Sequence, residues 1–113
     1  LQARCRLQCK VLSMTTTLQI IATLVAKPSK ATELRSLLEP AVAQFRAEPG
    51  CEGYILLEDR KQEGRFLTYE TWTDEAALKA HMHSPTMKAL GPKMKELLDG
   101  EIKQEFLSIL VSA

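Results

Sequence analysis

Hydrophobic positions along this chain alternate between two periods, and the changes of period mark its elements. Thr17 to Ala26, TLQIIATLVA, is β-branched and apolar on both alternate faces, as in a strand. Lys27-Pro28-Ser29 stops it, since proline cannot donate to a ladder. From Lys30 to Glu48 the period becomes helical. Leu34, Leu37, Leu38, Ala41, Val42 and Phe45 share one side, and Glu33, Arg35, Glu39, Gln44 and Arg46 lie outside. Pro40 sits within this helix and is expected to kink it or release one hydrogen bond. Glu48-Pro49-Gly50 ends it.

Cys51 to Asp59 and Arg65 to Thr73 read as two more strands, joined by the polar turn RKQEG into an antiparallel hairpin. Thr73 or Asp74 caps a short helix that runs through His81, with Asp74 and Glu75 at the positive end of its dipole. Ser84-Pro85 is an N-cap followed by proline at the first helical position, so another helix starts there. Met87, Leu90, Met94, Leu97 and Leu98 line its inner side, and Gly91-Pro92 should bend it. Asp99-Gly100 closes it, and Glu101 to Val111 is the expected fourth strand.

Strand, helix, strand, strand, helix, strand is the α+β, ferredoxin-like βαββαβ order, with one antiparallel four-stranded sheet. A sheet with one wet face should alternate cleanly between apolar and polar. These strands do not: Leu18, Ile20, Ala22 and Leu24 fill one face of the first, while Ile21 and Val25 occupy the other. Helices can cover only one face. A second copy of the sheet is the simplest cover for the other, which predicts a homodimer packed sheet to sheet.

The 113 residues suffice for one domain with a modest core, expected from Met14 to Ala113. The stretch before Met14, LQARCRLQCKVLS, carries Arg4, Arg6 and Lys10 and no acid, and reads as neither strand nor clean helix. Residues 1–13 are expected to be a non-native or disordered leader, with a basic targeting segment as the rival reading. A formal net charge of +1 gives no basic excess for nucleic acid and no like-charge run for a membrane surface. Apolar runs fall well short of the ~20 residues a bilayer takes. The three cysteines, Cys5, Cys9 and Cys51, form no disulfide framework, so a reducing, cytoplasmic setting is expected.

The stretch Gly64 to Ser84, GRFLTYETWTDEAALKAHMHS, brings a carboxylate, an indole and an imidazole into one neighbourhood. Together with EPGCEGY (Glu48 to Tyr54), its YETW (Tyr69 to Trp72), and DEAALKAHMHSPTMKAL (Asp74 to Leu90), it resembles the antibiotic biosynthesis monooxygenase family. The likeness runs from Thr17 to Val111. It implies a dimeric α+β barrel that oxidises quinols or polyphenolic aromatics with molecular oxygen and needs no cofactor. The haem-degrading members of the same fold group use a His on the second long helix and an Asn on the first strand. Neither residue stands in those places here.

His81 follows Leu78 by three and Ala77 by four, so it shares their face and points to the sheet. It can take a proton from a hydroquinone hydroxyl, and a phenolate reacts with oxygen far more readily than a phenol. A helix-end histidine bonded to a backbone carbonyl is the structural alternative. Glu70 and Trp72 share a strand face with Phe66 and Thr68. Glu70 is the candidate partner for His81, and Trp72 the candidate flat wall of an aromatic site; packing and ion pairing are the alternatives. Tyr54, Phe45, Phe66, Met82 and Met87 complete the expected lining, with core packing again the alternative. His81-x-His83 splays two rings apart on a helix and lacks a third ligand, so no metal is expected. A non-catalytic dimeric binding protein and an isomerase of a small carbonyl compound remain open; the latter would need a cation inside the pocket.

Overall fold

The computed structural model describes residues 17–112. The leader expectation, Cys5, Cys9 and Met14 lie outside the described residues. Four strands and three helices follow in the order β1 (Leu18–Val25), α1 (Ala31–Arg46), β2 (Cys51–Glu58), β3 (Arg65–Trp72), α2 (Glu75–Met82), α3 (Pro85–Leu97) and β4 (Lys103–Leu107). All ladders are antiparallel and the strand order is β2-β3-β1-β4, as the ferredoxin-like pattern requires.

The caps fall where the sequence places them. The Asp74 carboxylate accepts the Ala77 N–H at 2.9 Å and starts α2. The Ser84 hydroxyl accepts the Met87 N–H at 3.2 Å and starts α3, with Pro85 at its first position. Helices α1 and α3 both continue through their internal prolines, Pro40 and Pro92. Ile20, Ala22 and Leu24 of β1 pack with Leu34, Leu38, Ala41 and Phe45 of α1 and Leu90 and Met94 of α3. This is the covered face of the sheet.

Two features depart from simple alternation. The fourth strand covers Lys103–Leu107 rather than Glu101 to Val111, and every residue in it is exposed. Its ladder ends at Leu107, and two residues on the buried Gln19 side-chain oxygen accepts the Ile109 N–H at 3.1 Å in place of a backbone carbonyl. A bulge in β2 is the second departure. Cys51 pairs with Trp72, Gly53 with Thr71 and Tyr54 with Glu70, so one extra residue separates the first two pairs. Cys51 and Tyr54, three apart, therefore both meet the covered face.

Gly50 sets the approach of β2 to α2. Its φ is +82°, and a Cβ there would run into the Ala77 methyl and the Thr73 hydroxyl. Its carbonyl accepts the Thr73 N–H at 2.9 Å. The start of α2, and with it His81, is thus fixed against the end of α1.

The uncovered face matches its expectation. Ile55, Leu57, Tyr69 and Leu107 are all more than a third exposed. With Gln19, Ile21, Leu67 and Ile109, several of them frame an apolar groove. No described helix is long and apolar enough to cross a membrane.

Candidate active site

His81 is 4% exposed, deep for a residue on an eight-residue helix. Its ring stands edge-on to Phe45, with centroids 4.7 Å apart at 83°, and lies tilted over Trp72 at 4.5 Å and 32°. Two carboxylates flank it. Glu48 Oε1 lies 2.8 Å from Nδ1. Glu70 Oε1 lies 3.9 Å from Nε2, beyond hydrogen-bond range. A carboxylate acceptor on Nδ1 selects the Nδ1–H tautomer in the neutral ring and leaves the Nε2 lone pair free.

Glu48 is held by the turn after α1. Its N–H donates to Phe45 O at 3.1 Å, and its carbonyl accepts the Cys51 N–H at 3.1 Å. Its second carboxylate oxygen is buried with no hydrogen-bond partner among the described residues. Sequence reasoning gave Glu48 only the role of ending a helix. It lies 33 positions from His81. The signal for it was its place at the head of EPGCEGY.

Glu70 is 4% exposed and fixed by its own strand. The Thr68 hydroxyl donates to Oε2 at 2.6 Å and the Trp72 indole N–H donates to Oε1 at 3.0 Å. Two neutral donors at the adjacent same-face positions of β3 hold this carboxylate beside the imidazole. Opposite Glu70 stands Tyr54, whose ring packs 5.0 Å from Phe45. Burial pushes the Tyr54 phenol far above its ordinary pKa; the negative charge of Glu70 adds to that, and contact with the Thr68 hydroxyl opposes it. Tyr54 therefore remains a neutral hydroxyl.

These groups border a cavity of about 40 Å³ between sheet and helices. Tyr54, Thr68, Glu70, His81 and Gln104 are its polar lining, and Leu24, Leu38, Leu90, Met94 and Ile102, with Met82 and Met87, are its apolar lining. Of the expected site residues, the structure brings Phe45, Tyr54, Glu70, His81, Met82 and Met87 to this wall. Trp72 stands elsewhere: it is fully buried behind the site, where it holds Glu70 and supports His81. Phe66 pairs with Leu24 and Glu58 at the far end of the sheet and borders a separate surface groove. His83 is the exposed C-cap of α2. Among the described residues, no group of three His, Cys, Asp or Glu is placed to hold a metal ion.

This chain and its fold have counterparts among known proteins. The sequence model for antibiotic biosynthesis monooxygenases matches residues 17–92, and the chain belongs to that family. It is 37% identical over 76 residues to the Bacillus subtilis protein named "Putative monooxygenase YcnE", covering 67% of this chain and 80% of that one. It is 35% identical over 72 residues to the uncharacterized protein sll1783 of Synechocystis, covering 64% of this chain but only 49% of that relative's length. Among solved structures, PA3566 from Pseudomonas aeruginosa superposes with a TM-score of 0.81 at 36% identity, covering 87% of this chain and 98% of that one. Family and relatives together support a monooxygenase-like function.

The Tyr54 geometry predicts a specific alkaline behaviour. A phenol whose folded pKa is raised contributes stability present below its unfolded value, which is lost as pH rises past it. Wild type is expected to lose stability relative to Tyr54→Phe by about 1.4 kcal/mol per pH unit above about pH 10, read from urea unfolding. Parallel stability curves for the two proteins would mean that Tyr54 titrates alike folded and unfolded.

Proposed function

We propose that this protein is a cofactor-independent monooxygenase of quinols or polyphenolic aromatics. The observation that supports it most is the Glu48–His81 pair, which engages Nδ1 and leaves the Nε2 lone pair free on a ring that borders the cavity. In this reading His81 Nε2 takes a proton from a substrate hydroxyl. Glu48 holds the ring and stabilises the imidazolium that forms, and Glu70 supports it from the other side. Tyr54 and Thr68 orient the substrate oxygens.

The resulting phenolate donates electrons to O2 directly. One oxygen atom enters the ring and the other leaves as water. The substrate itself supplies all four electrons: two for insertion, and two as the hydroquinone becomes a hydroxyquinone. The equation balances as hydroquinone plus O2 giving hydroxyquinone plus water, so no external reductant is required.

The readings of a non-catalytic binding protein and of a carbonyl isomerase differ from this one in what the site must contain. The small inner volume suits a sequestering module only if the guest is very small. Among the described residues no Lys or Arg lines the cavity, which disfavours an isomerase that neutralises an enolate with a cation.

Oxygen uptake with menadiol-like and catechol-like substrates tests the enzyme. His81→Ala is expected to lower turnover by ~10²-fold or more. Glu48→Ala, which leaves the imidazole unoriented, is expected to lower it by at least about tenfold. A folded His81→Ala protein with an unchanged rate would remove His81 from the chemistry.

We further infer that the exposed sheet face pairs with a second copy of the chain. Ile55, Leu57, Tyr69 and Leu107 supply an apolar surface, and the buried Gln19 side-chain nitrogen has no hydrogen-bond partner among the described residues. Sedimentation should give a dimer that Leu57→Lys with Tyr69→Lys converts to monomer. A wild type that sediments as a monomer at micromolar concentration would rule this pairing out.

A further inference from the structure

Glu70 is held from both directions along its own strand. Thr68, Glu70 and Trp72 stand at alternate positions of β3, share its covered face and are all buried. The Thr68 hydroxyl donates to Oε2 at 2.6 Å and the Trp72 indole N–H to Oε1 at 3.0 Å, so each carboxylate oxygen has its own donor. Across the ladders Glu70 faces Ile20 and Tyr54. Ile20 has no side-chain donor, and the Tyr54 hydroxyl lies against Thr68.

The result is a separation. Glu70 Oε1 stops 3.9 Å from His81 Nε2, whereas Glu48 Oε1 reaches Nδ1 at 2.8 Å. Two carboxylates flank one imidazole, and only one of them bonds to it. A buried carboxylate closes on a nearby N–H wherever its other bonds allow. If Glu70 moved inward by roughly 1 Å, Nε2 would carry a proton directed at it and would have no lone pair to offer. At 3.9 Å the same charge still attracts an imidazolium once a proton has arrived. The distance therefore keeps the benefit of the charge and avoids the bond.

We propose that Thr68 is a positioning residue for the base: together with the Trp72 indole it holds Glu70 back and so keeps His81 Nε2 free of a proton. Thr68 acts through Glu70 and not on the reacting atoms. The use made of the free nitrogen rests on the monooxygenase reading, but the restraint does not. Thr68→Val keeps the shape and the β-branch that suit a strand, and removes only the hydroxyl. It leaves Oε2 buried without a donor, and a pivot toward Nε2 is the movement that supplies one.

Nitrogen-15 spectra of the imidazole in resting protein read the restraint without substrate or turnover. The chain has two histidines, so His83→Gln in every sample leaves His81 as the one ring observed. With Thr68 intact, Nε2 is expected to carry no proton at neutral pH. Thr68→Val should put a proton on Nε2, and Thr68→Ser, which keeps the hydroxyl, should not. Glu70→Met added to Thr68→Val removes the carboxylate and should free Nε2 again. In oxygen uptake with quinols, Thr68→Val should lower kcat by about tenfold or more and leave KM within about threefold, with Thr68→Ser near wild type. A folded Thr68→Val protein with an unchanged spectrum would overturn the proposal, and Thr68→Ala carries the same test if the valine variant does not fold. An Nε2 proton that survives Glu70→Met would overturn it as well, because the carboxylate would not be its cause. A wild type that takes up no oxygen would overturn the monooxygenase reading alone, since the spectra decide the restraint.

Discussion

A buried imidazole between two carboxylates is the constraint on which the rest of this molecule depends. His81 is almost fully removed from water, yet its two nitrogens face Glu48 at 2.8 Å and Glu70 at 3.9 Å. Burying three polar groups together is costly unless each is supported. The fold supplies that support from separate elements. The turn after α1 fixes Glu48, β3 holds Glu70 through Thr68 and Trp72, and Asp74 caps the helix that carries His81. Gly50 allows β2 and α2 to approach closely enough for these parts to meet. Loss of the Glu48, Thr68 or Trp72 contacts would leave a buried polar group without its partner, so the geometry of the site and the packing around it are one problem.

Much of the fold was legible because its boundaries are written in local chemistry. Asp74 and Ser84-Pro85 mark helix starts whose hydrogen bonds form as expected, and the apolar helical stripe of α1 faces the sheet. The doubly apolar strands correctly signalled an uncovered hydrophobic face. The extent of β4 was not legible, because past its end Gln19, ninety residues earlier, takes the Ile109 N–H in place of a backbone carbonyl. Periodicity carries no record of such a contact.

The site was half legible for the same reason. His81 and Glu70 follow from short-range spacing on α2 and β3. Glu48 does not, since its role arises only when the end of α1 folds against α2. Trp72 reads as a wall until its indole N–H is found on Glu70, which turns the ring into support behind the site. Phe66 shares the strand face, but the register carries it to the opposite end of the sheet. Tyr54 stands opposite Glu70 as part of the expected lining, and what alternation does not place is Cys51, which the bulge before Gly53 turns to the same face.

In the proposed mechanism Glu48 decides which imidazole nitrogen meets the substrate, and nitrogen-15 NMR of the labelled His81 ring reads that choice directly. With the ring neutral, Nδ1 should carry the proton and Nε2 the lone pair, and Glu48→Ala should abolish that preference. A ring that keeps its proton on Nε2 in the wild type would contradict the proposed mechanism, because Nε2 would then have no lone pair to accept a proton from the substrate.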